Sequence, residues 1–436
     1  MDSLTAARWQ MAVSLGFHMI FAAAGIGMPL LMLIAEGLWI RTGREHYRLL
    51  ARKWAKATGL LFAVGAVSGT ALSFELGLLW PKFMELCGAL IGPAFALEGF
   101  AFFIEAIFLG LYLYGWEKLS PVAHWWTGVP VAVSGLLSGA LVVAVNAWMQ
   151  APTGFDLDAN GKFIHIDPLA TFKSPQWIPM AIHSSLSCYV AVAFAVAGIY
   201  AVGILRGNNN DYHRSALTIA MLVGGITVVL QAASGDLNGK TTAKLQPEKL
   251  AAMEALFETQ AGAPLLIGGI PDEEQGTVSY AIELPKLLSF AAKGDFNATV
   301  QGLHDFPADE RPPVLLVHLC FQIMVGCGVL LILLSGWYAW VRRRSSDIGS
   351  RPLLVAVVAG SPLGFLALET GWMVSELGRQ PWTIYRVLRT RDAVTPVADV
   401  SSSLLIFTAL YLGLAVALVF LLLRLTKADE ETPRVS

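Results

Sequence analysis

Apolar side chains run through this chain in long unbroken blocks, with the polar residues gathered between them. Nine blocks stand out, at 12–35, 57–80, 92–115, 125–148, 179–205, 215–233, 313–340, 352–374 and 397–424. Each is near or above the length of roughly 20 residues that a helix needs to cross a bilayer. Backbone groups in lipid must be satisfied within the segment, so such blocks predict helices. The expected fold class is all-α, a polytopic membrane protein with nine transmembrane helices arranged as helical bundles. Composition agrees. The chain of 436 residues is 55% hydrophobic and only 14% charged, where a soluble domain carries about 25%. Met11 to Ala35 is too long for the apolar core of a signal peptide. Glu36 and Arg41 follow it where a small-residue cleavage site would stand, so it reads as a retained helix.

The polar pattern between the blocks sets an expected orientation. Arg41, Arg44, Arg48, Arg52, Lys53 and Lys56 follow the first block. Lys118 follows the third, Arg206 and Arg214 flank the loop after the fifth, and Arg342, Arg343, Arg344 and Arg351 follow the seventh. All lie on one face, which the excess of cations marks as cytoplasmic. The N-terminus is then outside and the C-terminus inside. Segment 375–396 is outside yet holds Arg379, Arg386, Arg389 and Arg391, which predicts anionic partners close by. Two long insertions also lie outside. Segment 150–178, rich in Pro, Asp and Gly, predicts an irregular cap. Segment 234–312 predicts a helix over 247–260, opened by Pro247, and a second over 282–298. A loop of that length implies a function.

A few polar residues interrupt the apolar blocks, and these are the candidates for chemistry. Glu98 and Glu105 are spaced i,i+7, about 700° of helix and about 10 Å of rise, so both carboxylates share one face. Acids at that depth face protein, water or a cofactor. Two structural acids paired with neighbours are the plainer alternative. His18 and His183 lie near the outer ends of the first and fifth blocks, amid Phe and Trp. Either is a packed histidine bonded to a carbonyl or a ligand; two at similar depth favour haem, and are too few for a binuclear copper site. Met324 sits inside the seventh block, where methionine is ordinarily core, but a thioether also serves as an axial haem ligand. His318 lies six residues earlier, at a depth that suits His183 better, and the pairing stays open. Glu369 falls in the eighth block and Glu376 at its outer end. Arg379 has the donor fork for a propionate or serves as a surface anchor, and Trp382 suits an interface or a stack. The four cysteines form no C-x-x-C and read as small apolar packers. The net charge of −2 gives no footprint for nucleic acid, and none is expected as a partner.

Several stretches together carry a family resemblance. TGWMVSE followed by GRQPW (378–382), GFHMIFA around His18, PAFALEGFAFFIE around Glu98 and Glu105, VNAWMQAPTG (145–154), KLAAMEALFETQ (249–260) and FQIMVGCG (321–328) occur in order along nearly the whole chain. The chain resembles subunit I of cytochrome bd-type quinol oxidases, in the form with the short quinol loop. The resemblance implies an electrogenic quinol:oxygen oxidoreductase of the bacterial inner membrane. It would reduce dioxygen to water and build a proton motive force through opposite-side proton uptake and release, without pumping. It implies two haem b, one low-spin and one high-spin, and one haem d or a haem b in its place. His183 and Met324 would be the axial pair of the low-spin haem. His18 and Glu376 would serve the two high-spin haems, and Glu98, Glu105 and Arg379 the proton and haem chemistry. Arg379 and Trp382 would border the cofactor, and Lys249 and Glu254 would bind ubiquinol or menaquinol. Three regions follow: 1–233 with six helices carrying high-spin haem and proton-site residues, 234–312 as the extracytoplasmic quinol loop, and 313–436 with three helices carrying haem ligands. A membrane subunit II and small single-helix subunits are the implied partners. Where some relatives have Arg two residues before the ligand Met, this chain has Gln322, so a propionate role there is not implied. A proton-coupled secondary transporter would show an inverted repeat, and none is evident.

Overall fold

The computed structural model describes residues 1–159, 161–344, 348–397 and 400–430. Residues 431–436, at the end of the last expected region, lie outside the described residues. Among the described residues, nine helices are long and apolar enough to cross a membrane. They are α1 (Ser3–Thr42), α2 (Glu45–Leu79), α3 (Pro81–Tyr114), α4 (Pro121–Gln150), α5 (Trp177–Leu205), α6 (Asp211–Leu245), a helix at Val314–Arg344, a two-part span at Arg351–Leu377, and one beginning at Val400. Each runs past its apolar block at one end or both, because polar helix formers at the rims continue the hydrogen-bond ladder. Asp2 caps α1 by accepting from the Thr5 amide at 2.9 Å, and Gly43 ends it in the left-handed region at φ 69°.

Segment 234–312 departs from expectation. The helix expected over 247–260 is only α7, Pro247–Met253. It stops because Ala255 sits at φ 49°, after which the chain turns back on itself. Glu254 is therefore the C-cap residue of α7. The helix expected over 282–298 is also mostly absent. Residues 282–284 complete a strand, and only α8 (Leu287–Lys293) follows. The sequence TVSYAIEL, with its β-branched and aromatic residues, pairs antiparallel with LLIGGIPD as a hairpin. Lys286 at φ 64° and Gly294 at φ 73° bracket α8. In segment 150–178 the cap holds a short hairpin, Asp156↔Ile164, and one 3-10 turn.

The last three spans are α9 (Val314–Arg344), α10 with α11 (Arg351–Gly360 and Leu363–Leu377), and, after the short α12 (Thr390–Ala393), α13 (Val400–Glu430). The eighth span is broken at Ser361–Pro362, where proline lacks the amide that would continue the ladder. Helices pack chiefly as antiparallel neighbours, α1 with α2, α3 with α4 and α5 with α6. One core joins α1, α2, α5, α6, α9 and α10 around Met28, Leu31, Phe194, Leu217, Met221 and Tyr338. At the end away from the N-terminus, Glu36 binds both the Tyr112 hydroxyl (2.6 Å) and His124 Nδ1 (2.7 Å), tying α1, α3 and α4. The N-terminus of α1, segment 150–178, α7 and segment 378–397 gather at the other end. Tyr385 N donates to Met149 O and Thr395 N to Leu79 O there.

Candidate functional site

Two histidines are held by the same device. His18 on α1 meets Ser68 on α2, Nδ1 to Oγ, at 3.0 Å. Ser68 in turn donates to the Gly65 carbonyl at 3.1 Å. His183 on α5 meets Ser234 on α6, again Nδ1 to Oγ at 3.0 Å, and Ser234 donates to Gln231 O at 2.8 Å. A hydroxyl has one hydrogen, and here it goes to the carbonyl. The serine oxygen must then accept, so Nδ1 carries the imidazole proton and Nε2 keeps its lone pair. That is the tautomer a metal-binding histidine requires, fixed by a second group in the usual way. The residue after each serine is glycine, and the ring lies on it. A Cβ at Gly69 would stand 2.9 Å from His18 Cε1, and one at Gly235 3.4 Å from His183 Cε1. Beside His183, the amide nitrogen of Gln231 lies 3.2 Å from Nε2.

The open choice between Met324 and His318 narrows on contacts. Both ring nitrogens of His318 point at backbone carbonyls of segment 234–312, Nδ1 at Met253 O (2.8 Å) and Nε2 at Gly268 O (3.1 Å). His318 thus pins that segment to α9. Met324 instead lies against α11, where a Cβ at Gly371 would meet its sulfur at 2.8 Å. Gln322 has a structural task. It donates to Leu266 O and accepts from Gly268 N, both at 3.0 Å, so it clasps the strand Leu265–Asp272.

At the end of α11, the carboxylate of Glu376 binds Arg379 through one oxygen and Asn146 Nδ2 through the other, the latter at 2.5 Å. Arg379 is only 4% exposed, which rules out a surface anchor. Its Nη1 and the Trp382 indole nitrogen are buried without a partner among the described residues. Arg386 pairs with Glu248, and Arg389 with Asp309 and Glu310, so the expected anionic neighbours of this segment are present. Arg389 also stacks over Trp382 at 4.9 Å.

On α3, Glu98 accepts from the Ser138 hydroxyl at 3.1 Å. Glu105 is buried with Oε1 unpartnered, packed on Gly135, where a Cβ would stand 3.3 Å from the carboxylate. Glu369 approaches Gly16 of α1, two residues from His18, and its Oε1 is also unpartnered. Phe100, Phe103, Ile104, Ile107 and Leu111 leave a broad apolar face of α3 exposed. All four cysteines are free and buried, as apolar packers should be.

In segment 234–312, Lys249 is buried and its Nζ donates to Gln150 Oε1 (2.7 Å) and Gln246 Oε1 (3.0 Å). Burial, and next the Arg379 guanidinium, lower its pKa to about 7. Glu254 is buried with Oε2 unpartnered, and burial raises its pKa to about 8. Nearby, a cavity of about 400 Å³ opens between Phe257, Arg8, Arg311, Gln380 and Pro381, a volume in the range of small-molecule sites.

These residues fit haem. Among the described residues, no three His, Cys, Asp or Glu side chains converge as a protein-only metal site would need. A porphyrin brings four nitrogens itself and asks the protein for one or two ligands. The imidazoles of His18 and His183, the thioether of Met324 and the carboxylate of Glu376 are side chains of the kind such a group takes. The orphaned donors of Arg379 and Trp382 suit a propionate. Ser68, Ser234, Asn146 and Gln150 were not singled out from the sequence. The only signal for the serines was a Ser-Gly pair on the helix following each histidine.

Comparison with known proteins covers nearly the whole chain. A sequence-family profile described as cytochrome bd terminal oxidase subunit I matches residues 6–430. The chain is 39% identical over 428 residues to a putative cytochrome bd menaquinol oxidase subunit I of Bacillus subtilis (strain 168), covering 97% of this chain and 96% of that protein. It is 31% identical over 447 residues to a cytochrome bd ubiquinol oxidase subunit 1 of the same organism, covering 99% and 95%. The solved structure of the bd oxidase from Geobacillus thermodenitrificans superposes with a TM-score of 0.94 at 39% identity, over 98% of this chain and 99% of that one.

Proposed function

The chain belongs to the cytochrome bd terminal oxidase subunit I family, and from that premise we propose how its residues divide the reaction. It is a membrane quinol:oxygen oxidoreductase subunit that generates a proton motive force without pumping, with haem cofactors typical of the family. The observation that carries the residue assignment is the pair of serine-held histidines: Nε2 is left open at His18 and is met only by the Gln231 amide at His183, which iron would displace.

His183 and Met324 would hold the low-spin haem b. His18 and Glu376 would each hold one high-spin haem, a second b and a d, or b in place of d. When bound, these groups carry single electrons and activate dioxygen. Arg379 pairs with the Glu376 carboxylate and offers Nη1 to a propionate, with the Trp382 indole beside it. Lys249 and Glu254 take the quinol, of ubiquinol or menaquinol type, from the extracytoplasmic side. The Glu254 carboxylate accepts a hydroxyl proton, while protonated Lys249 donates to the other quinol oxygen. Glu105 Oε1 takes protons arriving from the cytoplasmic side and passes them toward Glu98, which Ser138 orients. A membrane subunit II covers the apolar face of α3 next to these acids and completes the proton entry. Small single-helix subunits complete the assembly. Regions 1–233, 234–312 and 313–436 serve as oxygen and proton side, quinol loop, and ligand-bearing helices. The N-terminus and quinol loop face outward and the C-terminus the cytoplasm.

The test is oxygen uptake driven by quinol in the assembled enzyme, with variants Lys249→Met and Glu254→Gln. Both should lower quinol-dependent uptake at least tenfold while leaving the haem spectrum intact. Unchanged uptake in both variants would remove the quinol assignment.

A further inference from the structure

The stretch VNAWMQAPTG has no role in the scheme above, yet it lies between the quinol loop and the turn that carries Glu376. Its Asn146 and Gln150 are spaced i,i+4 on the last turns of α4 and so share one face. Lys249 Nζ donates to Gln150 Oε1 at 2.7 Å. Gln150 Nε2 donates onward to Asn146 Oδ1 at 3.2 Å and to the Ser375 hydroxyl, also at 3.2 Å. Asn146 Nδ2 donates to Glu376 Oε1, and the other oxygen of that carboxylate holds Arg379. Three side-chain hydrogen bonds thus run without a break from the quinol loop to the Glu376 carboxylate.

The backbone supports the same contact. Lys249 lies across Gly378, where a Cβ would meet its Cε at 2.7 Å and its Cγ at 2.9 Å. Only glycine lets the lysine pass so near the turn bearing Glu376 and Arg379. Gln150 is 2% exposed and Lys249 is 5% exposed, so water does not compete for these bonds. An amide is suited to the middle position. It accepts at one end and donates at the other, so moving the ammonium reorients the next amide in turn.

We infer that Gln150 and Asn146 are positioning residues that couple occupancy of the quinol site at Lys249 to the orientation of the Glu376 carboxylate. The inference rests on the reading of Lys249 as a quinol ligand, and the experiment keeps the two separable. A quinone that draws the ammonium toward its own oxygen weakens the bond to Gln150. The amide relay then shifts the donor on Glu376 Oε1. No electron needs to move for this to occur.

The experiment titrates oxidised short-tailed quinones into the air-oxidised holoenzyme, where turnover is impossible. One arm uses a naphthoquinone and the other a benzoquinone. Two quantities are read: quinone affinity, and the change in the resonance Raman signature of the haem that Glu376 ligates. In the unaltered enzyme, saturation should change that signature. Gln150→Leu removes the bond that quinone must weaken, so it should bind quinone at least as tightly as the unaltered enzyme, by up to roughly tenfold, and show no change at saturation. Gln150→Glu still accepts from Lys249 but cannot donate onward. It should keep affinity within about threefold and lose the change. Asn146→Ala should do the same. A change of normal size in any saturated variant overturns the relay, as does the absence of a change in the unaltered enzyme with both quinones. Lys249→Met with unaltered affinity would instead remove the quinol-site reading beneath it.

Discussion

The His18 and His183 sites can be laid side by side, because the chain builds both from one pattern. In each, a histidine on one helix meets a Ser-Gly pair on its antiparallel neighbour. The serine fixes the tautomer and the glycine makes room for the ring. The surroundings then diverge. The His183 helix is the most deeply packed of the nine spans, while α2, which carries Ser68, is among the least. Gln231 lies 3.2 Å from His183, and Met324, packed on Gly371, is carried by α9, which packs on the Ser234 helix α6 and on α11. On the His18 helix, Gly16 faces an acid, Glu369, with a buried, unpartnered oxygen. In the proposed assignment the shared part of the pattern would prepare an imidazole for iron, and the unshared part would decide what else that iron meets. A saturated iron suits electron transfer and a five-coordinate one suits oxygen.

The largest effect separates the two sites outright. His183→Ala should abolish the low-spin haem signal first in a reduced-minus-oxidised spectrum, with a high-spin signal retained. His18→Ala should do the reverse. If both variants lose the same signal, the division of labour fails. Next in size is the glycine contrast. At 2.9 Å a methyl on residue 69 forces the His18 ring to move, whereas at 3.4 Å one on residue 235 is near ordinary contact. Gly69→Ala should lose most of its haem and Gly235→Ala little, measured as haem per protein. Equal occupancy in the two would show that the rings are not held by this packing. Smaller again are Ser68→Ala and Ser234→Ala. Each removes the acceptor on Nδ1 and should weaken haem retention roughly 10- to 100-fold, by similar amounts if the device is the same.

Much of this could be read before any coordinates. Nine spans were legible because a bilayer demands long apolar runs and tolerates little else. His18, His183 and Glu376 were legible because a polar group in such a run needs a reason. What was hidden depends on contacts between distant segments. Serines in membrane helices commonly bond their own preceding turn, so Ser68 and Ser234 carried no mark until their partners were seen. The same holds for Gln322, whose two bonds go to a strand more than 50 residues away. The loop failed for a local reason. IELPKLL contains good helix formers, but Ile282 to Leu284 pair across a hairpin, and tertiary pairing overrode propensity. Glu254 left its helix because Ala255 takes a positive φ, which nothing in KLAAMEALFETQ announces.

The smallest effect is a pH dependence that should touch one site and not the other. Quinol oxidation needs Glu254 ionised and Lys249 protonated. Burial raises the carboxyl to about 8 and lowers the ammonium to about 7. The active form therefore grows as Glu254 loses its proton and declines as Lys249 loses its own. Because the two values stand in reverse order, it is always a minority and peaks near their midpoint. The product of the two fractions falls about sixfold from pH 7.5 to pH 6, and as much again by pH 9. Stopped-flow reduction by quinol should show this narrow bell, whereas the reaction of the prereduced enzyme with oxygen should not. Lys249→Arg stays charged and should remove the alkaline limb. Glu254→Gln should remove the acid limb along with most of the rate. A bell that appears equally in the oxygen phase would place the titrating groups at the oxygen side, and the quinol loop would lose its claim to them.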